Sequence, residues 1–222
     1  MMNTTGTRYV LAREQTDLSD EVRAAPAPSL PTVSEPFGLR VADPDGSDPA
    51  MLTEWMHRPH LLAAWEQPWS TERREQDLRA QLAGTYSLPC IVSFDFAADD
   101  RPELGRRDVA YLELYRAAKD EIARLYHADP YDVAMHLATA EQDLTGRRMM
   151  AAFAAQLLPA IFAAEPKCRR IMVDPDHRNV AVRRVAERFG APSLGEFDIR
   201  PDRRITLYTQ PRTPADMPTL RR

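Results

Sequence analysis

Asp174 and His136 are placed for acid–base work in this 222-residue chain. Asp174 directly follows the apolar run Arg170–Val173, and His136 sits inside the run Asp132–Ala140. Both runs predict strands, and open α/β sheets bind ligands beyond the carboxyl ends of their strands. If the two strands are parallel neighbours, a carboxylate and an imidazole face one cleft, a pair suited to general-base chemistry. Each residue also has a structural reading. An Asp-Pro closing a strand is a common turn, and a strand histidine is commonly a hydrogen-bonded core group.

The elements that must position this pair alternate along the chain. Residues 1–36 read as an N-terminal extension, with Arg8–Ala12 as a short strand and Asp17–Ala24 as a short helix. Pro26, Pro28, Pro31 and Pro36 then predict an extended connector, because proline fixes φ and lacks a donor. The main domain is expected over 37–210, opening with a strand at Gly38–Val41. Asp48–Trp65 predicts one helix carrying Met51, Leu52, Trp55, Met56, Leu62 and Trp65 on its inner side; Ser70 caps a second helix that Gly84 ends. Leu88–Phe96 and Val109–Arg116 predict strands, and alternation puts Tyr111, Glu113 and Tyr115 on one face of the latter. A short helix is expected at 119–126. Arg147–Ala164, apolar nearly all round, predicts a buried helix kinked at Pro159. Asn179 caps a helix with Val182, Val185, Ala186 and Phe189 inward and Gly190 as its stop. Two strands, Ser193–Ile199 and Ile205–Thr209, close the domain, and 211–222 is expected to be a loose tail. One mixed α/β sheet with helices on both faces accommodates this order.

Composition narrows the function classes. With 29 basic against 33 acidic residues the chain carries −4, which speaks against a nucleic-acid binder that works by displacing counterions. The longest apolar run, Met149–Ala164, falls short of the roughly 20 residues of a membrane span. No secretory signal is visible, and Cys90 and Cys168 are too few for a disulfide framework, so cytoplasmic location is the expectation. His57, His127 and His177 lack ligand spacing, and no metal site is expected.

Four separated blocks carry a resemblance: MHRPHLLAAWEQPW at 56–69, GTYSLP at 84–89, YLELYRAAKDEIARLYHADPYDVAMH at 111–136 and CRRIMVDPDHRN at 168–179. Together they resemble the siderophore-biosynthesis branch of the GCN5-related N-acyltransferases, nearest to its members that acylate lysine in mycobactin assembly. The similarity spans residues 30–210. It implies a mixed, mostly antiparallel sheet whose central parallel pair, the strands of His136 and Asp174, splays to admit a thioester arm. The implied activity is acyl transfer from coenzyme A or an acyl carrier protein to the side-chain amine of a lysine or hydroxylysine unit in a siderophore precursor. The thioester is then a co-substrate, with no permanently bound cofactor. Asp174 is implied as the base and His136 as a substrate contact. Acetylation of hydroxyornithine or aminoglycoside amines stays open, as does a non-catalytic carrier-protein-binding module.

The chemistry fits these two residues. A lysine amine with a pKa of about 10.4 is protonated at neutral pH and must lose a proton before it attacks a carbonyl. A carboxylate or a neutral imidazole can take that proton. One departure from the family pattern concerns the phosphate-binding loop, which usually has glycines whose flanking N–H groups approach pyrophosphate. Here Leu144–Met150 holds the single Gly146 followed by Arg147 and Arg148, read as phosphate binding by charge or as a solvated helix start. His60, Trp65 and Trp69 resemble acceptor-pocket positions, though aromatics at helical spacing are more often core. Glu113, Tyr115 and Asp132 are read as polarising the amine site or as structural hydrogen bonders. Asn179 is read as a cofactor contact or a helix cap, and Arg178, Arg183 and Arg184 as a site for an acidic carrier or as a solvated face.

Overall fold

A computed structural model describes residues 9–65, 67–141 and 149–221. Its strands are β1 (Phe37–Val41), β2 (Ser87–Asp95), β3 (Arg106–Arg116), β4 (Val133–Thr139), β5 (Arg170–Val173), β6 (Ser193–Arg200) and β7 (Arg203–Pro211). They form one sheet in the order β1-β2-β3-β4-β5-β7-β6. Neighbours are antiparallel throughout except β4 and β5, which are parallel. The helices are α1 (Asp20–Ala24), α2 (Asp48–Met56), α3 (Pro59–Trp65), α4 (Thr71–Ala83), α5 (Met149–Ala164) and α6 (Val180–Arg188).

Alternation along the central strands divides the core. Val133 of β4 joins Leu112 and Leu114 of β3, with Met135 and Leu137 packed alongside, against Phe153, Leu157 and Ile161 of α5. Phe153 meets the Phe37 ring at 5.3 Å; a buried aromatic of this kind is worth about 3–5 kcal/mol. On the opposite face, Tyr111 and Ala138 pack under α2, α3 and α4, and Tyr115, Ala134 and Met172 pack with Leu11, Tyr86 and Ile205. His136 falls between these last two clusters, on the side-chain row of Ala134 and Ala138.

Several expectations are corrected. Asp48–Trp65 is two helices, because Pro59 opens α3 and biases Arg58 away from the helical region. The short helix at 119–126 is instead two 3₁₀ turns, Ala117–Lys119 and Glu121–Arg124, separated by an extended Asp120 whose side chain accepts from the Ile122 N–H. The long helix α5 buries only Met149, Phe153, Leu157 and Ile161, while Ala152, Ala155, Pro159 and Ala163 are exposed. Alanine made its outer face look buried. Residues 9–12 form no strand; the pairing falls on Glu14, bridged to Asp120.

The connector and the tail are both held. A proline-rich stretch leaves carbonyls without strand or helix partners, and buried cations of the body take them. Arg116 Nε donates to the Pro26 carbonyl at 2.7 Å while its Nη2 pairs with Glu165 at 2.8 Å. Lys119 Nζ donates to the Ala25 carbonyl at 2.5 Å. At the other end the expected loose tail is tied down: Arg212 donates to the Cys168, Phe162 and Glu165 carbonyls, and the Arg221 N–H to Leu125. Its arginines complete backbone acceptors that the body leaves open. Burial pushes the Cys90 thiol up to about 12 and Cys168 to about 11. No described helix is long and apolar enough to cross a membrane.

Candidate active site

The parallel pairing of β4 and β5 is confined to Val133–Ile171 and Ala134–Met172. Two residues further along each strand, on the same face, stand His136 and Asp174. Their Nε2 and Oδ1 atoms lie 3.0 Å apart. Strand pairing ends before this contact, so the imidazole and carboxylate meet where the strands part. From the other side β3 sets Glu113 opposite His136 and Tyr115 opposite Ala134.

Asp174 is satisfied on both oxygens. The Tyr115 hydroxyl donates to Oδ1 at 2.6 Å, and Arg203 Nη2 donates to Oδ2 at 2.9 Å. Burial works to raise this carboxyl, but His136, Arg203 and Arg13 outweigh it and hold the group well below the usual carboxylate range. Arg203 Nη1 reaches Glu121 at 2.9 Å, so one guanidinium forks between two buried carboxylates. Glu113 accepts from the Tyr111 hydroxyl at 3.0 Å and from Gln81 Nε2 at 3.1 Å, and its Oε2 lies 3.6 Å from His136 Nδ1. Burial again opposes the charge, yet the His136 hydrogen bond and Arg13 bring Glu113 down to about 2.

His136 therefore has a carboxylate near each ring nitrogen. Its ring stacks on Tyr115 at 4.6 Å and meets the edge of Trp65 at 6.0 Å. The imidazole keeps 13% of its side-chain surface open whereas Asp174 keeps none, so the histidine is the accessible member of the pair. Arg13, from the N-terminal extension, places Nη1 2.6 Å from Nε2 and 3.0 Å from Nδ1 of the same ring. Burial works against the Arg13 charge, but Tyr86, Asp120, Glu113 and Asp174 outweigh it and raise the guanidinium above its ordinary value. Beside this group the Tyr86 hydroxyl donates to Asp120, whose carboxyl is raised chiefly by burial. Asp77, next to Gln81, is pushed up to about 6 by burial and by Glu113.

The sequence-selected residues separate into those at this centre and those outside it. Asp174, His136, Glu113, Tyr115 and Trp65 come together. The Trp69 ring is covered by the Arg73 and Arg74 guanidinium groups at 4.4 and 4.5 Å. It lines a crevice of about 20 Å³ with Arg13, Asp77, Gln81 and Glu113. His60 Nε2 is engaged with the Thr139 carbonyl at 3.0 Å, tying α3 to the end of β4. Asp132 is not part of the centre: it holds Arg170 at 3.1 Å, the Tyr126 hydroxyl and the Asp129 N–H beneath the start of β4. Asn179 Oδ1 caps α6 by accepting from the Val182 N–H at 3.2 Å. Arg178 pairs with Asp176 and Arg183 with Glu196, while Arg184 is exposed. Gly146, Arg147 and Arg148 lie outside the described residues. Arg13, Arg203, Gln81 and Asp77 were not anticipated, since each arrives from a segment whose local pattern carries no catalytic signature.

Comparison with known proteins places the chain in a family. Residues 45–199 match the family described as acetyltransferase (GNAT) domain. Over 209 residues, 94% of this chain and 81% of the relative, it is 51% identical to lysine N-acyltransferase MbtK of Mycobacterium sp. (strain MCS). The namesake from Mycobacterium tuberculosis is 48% identical over 89% of this chain and 88% of its own. The N(6)-hydroxylysine O-acetyltransferase of Escherichia coli is 32% identical over 76% of this chain and 50% of its own. Among solved structures, aminoglycoside acetyltransferase AAC(6')-Ib in complex with coenzyme A superposes with a TM-score of 0.65 at 22% identity, covering 79% of this chain and 95% of that one; this likeness concerns the fold.

Proposed function

The chain belongs to the GNAT acyltransferase family, and from that premise we propose that it acylates the side-chain amine of a lysine or hydroxylysine unit during siderophore assembly. The observation that carries the reading is the His136–Asp174–Arg203 chain at the point where β4 and β5 part. The acyl donor is a thioester of coenzyme A or of an acyl carrier protein, entering the gap between the diverging strands. The reaction belongs to the cytoplasm, in keeping with two buried, unbridged cysteines.

The division of labour follows from access and charge. Asp174 has no open surface and both of its oxygens are engaged, by Tyr115 and Arg203, so it is a poor acceptor for an ammonium proton. Imidazole is the stronger base, so His136 takes the proton, and Asp174 holds the ring and balances the imidazolium that forms. The freed amine attacks the thioester carbonyl, the new C–N bond forms, and the C–S bond breaks. Of the two protons the ammonium loses, one ends on the leaving sulfur and the other in solvent. Burial of the surrounding carboxylates strengthens each charge interaction. Glu113 and Tyr115 shape the acceptor side, and Trp65 walls the imidazole.

Purified protein given lysine with short- and long-chain acyl-coenzyme A, and separately with acyl carrier protein, tests this by thiol release and by the mass of the amide. Wild type is expected to turn over, and His136→Ala and Asp174→Asn to lose about 100-fold or more. Unchanged rates in both variants would place the chemistry elsewhere. Tight thioester binding with no amide would make the chain a binding module.

A further inference from the structure

Arg13 meets His136 across 123 positions of sequence. A guanidinium has donors and no acceptor, and His136 Nε2 gives its hydrogen to Asp174 Oδ1 at 3.0 Å, so the ring lone pair that Arg13 meets is on Nδ1, 3.0 Å from its Nη1. Under the reading above, that lone pair is where an incoming ammonium gives up its proton. Glu113, Asp120 and Asp174 act on the guanidinium charge as they would on an acceptor's cation. An ammonium approaching the same ring would meet a like charge with little water between them. Arg13 also has φ 73, a backbone conformation that glycine adopts freely and arginine seldom does. The backbone is nonetheless clamped there. The Glu121 N–H donates to the Arg13 carbonyl at 3.1 Å, and the Gln15 N–H to the Lys119 carbonyl at 2.8 Å.

We infer that Arg13 occupies the place of the acceptor's cationic group and so determines acceptor specificity. An amine reaches His136 only when the rest of its molecule binds well enough to displace this side chain. The inference rests on His136 being the acceptor-side base. It predicts that a bare alkylamine competes poorly, while an acceptor with additional contacts succeeds.

The test uses the full chain and n-butylammonium, a minimal lysine side chain, followed by the NMR signals of the His136 ring. Arg13→Gly removes the guanidinium and suits the backbone; Arg13→Gln removes only the charge, and Arg13→Lys keeps it. Arg13→Gly and Arg13→Gln are expected to bind n-butylammonium about fivefold or more tighter than wild type, with Arg13→Lys close to wild type, as removal of a competing occupant requires. The lysine KM should fall in parallel. Unchanged or weaker binding by a folded Arg13→Gln protein, or a fall in kcat/KM at every amine tested, would overturn the inference. The titration decides the place of Arg13; amide formation by wild type decides the enzymatic reading, so the two fail separately.

Discussion

Arg203 joins two buried carboxylates at 2.9 Å each and fixes the charge that the imidazole faces. In Arg203→Gln, Asp174 loses one of the forces that hold it ionised, and its pKa moves up toward the ordinary carboxylate value. The proposed base is the imidazole, and with the Arg203 cation gone the Asp174 anion beside it favours the protonated ring more strongly. The acid limb of kcat/KM should therefore shift to higher pH and the neutral-pH rate should fall severalfold. Arg203→Lys restores charge without the fork and should recover part of the loss. An unmoved acid limb would show that Arg203 is merely structural. Asp77 makes a different demand. With its carboxyl pushed up to about 6, the folded state binds more protons than the unfolded state between roughly pH 4 and 6. Its contribution is therefore lost as pH rises through that window. Between pH 5 and 7.5 wild type should lose about 1 kcal/mol that Asp77→Asn does not, measured as the difference in urea midpoints. The same loss in the variant would assign the trend to other groups.

Elements show how far local pattern carries. The strands were legible because alternation of side chains reports one buried face, and β5 and the Asn179 cap fell where expected. The 3₁₀ turns around Asp120 and the one-sided burial of α5 were not, since alanine and short acidic segments carry little directional signal. Asp174 and His136 were legible as ends and faces of strands. Arg13 and Arg203 were not, because their roles depend on which distant segment they meet. The connector is the clearest case of a function invisible locally: its prolines announce extension but not that Arg116 and Lys119 anchor it. Arg116→Met should leave Glu165 buried without its partner and the Pro26 carbonyl unmet, a loss of about 3–5 kcal/mol in chemical denaturation. Adding Glu165→Gln removes the orphaned charge and should restore part of that loss. A single substitution costing under about 1 kcal/mol would mean that the pair is dispensable.

For the whole molecule, the gap follows from unequal lengths. β4 runs over Val133–Thr139, while β5 ends at Val173 after four residues, and the two pair at only two positions. β3 pairs with β4 along its full length, so the outer half of β4 keeps a partner on one side where β5 no longer pairs with it on the other. The two sides of the sheet are then joined near the gap by Asp132–Arg170 at 3.1 Å and His136–Asp174 at 3.0 Å. Backbone groups along this margin are where a thioester arm can add its own hydrogen bonds without displacing any strand. Hydrogen exchange followed with and without coenzyme A should slow at Met135–Thr139 and around Val173, and leave β1 and β2 unchanged. Protection confined to the crevice beside Trp69, or absent altogether, would mean that the thioester does not enter between β4 and β5, and the approach of donor to His136 would have to run from the helical side.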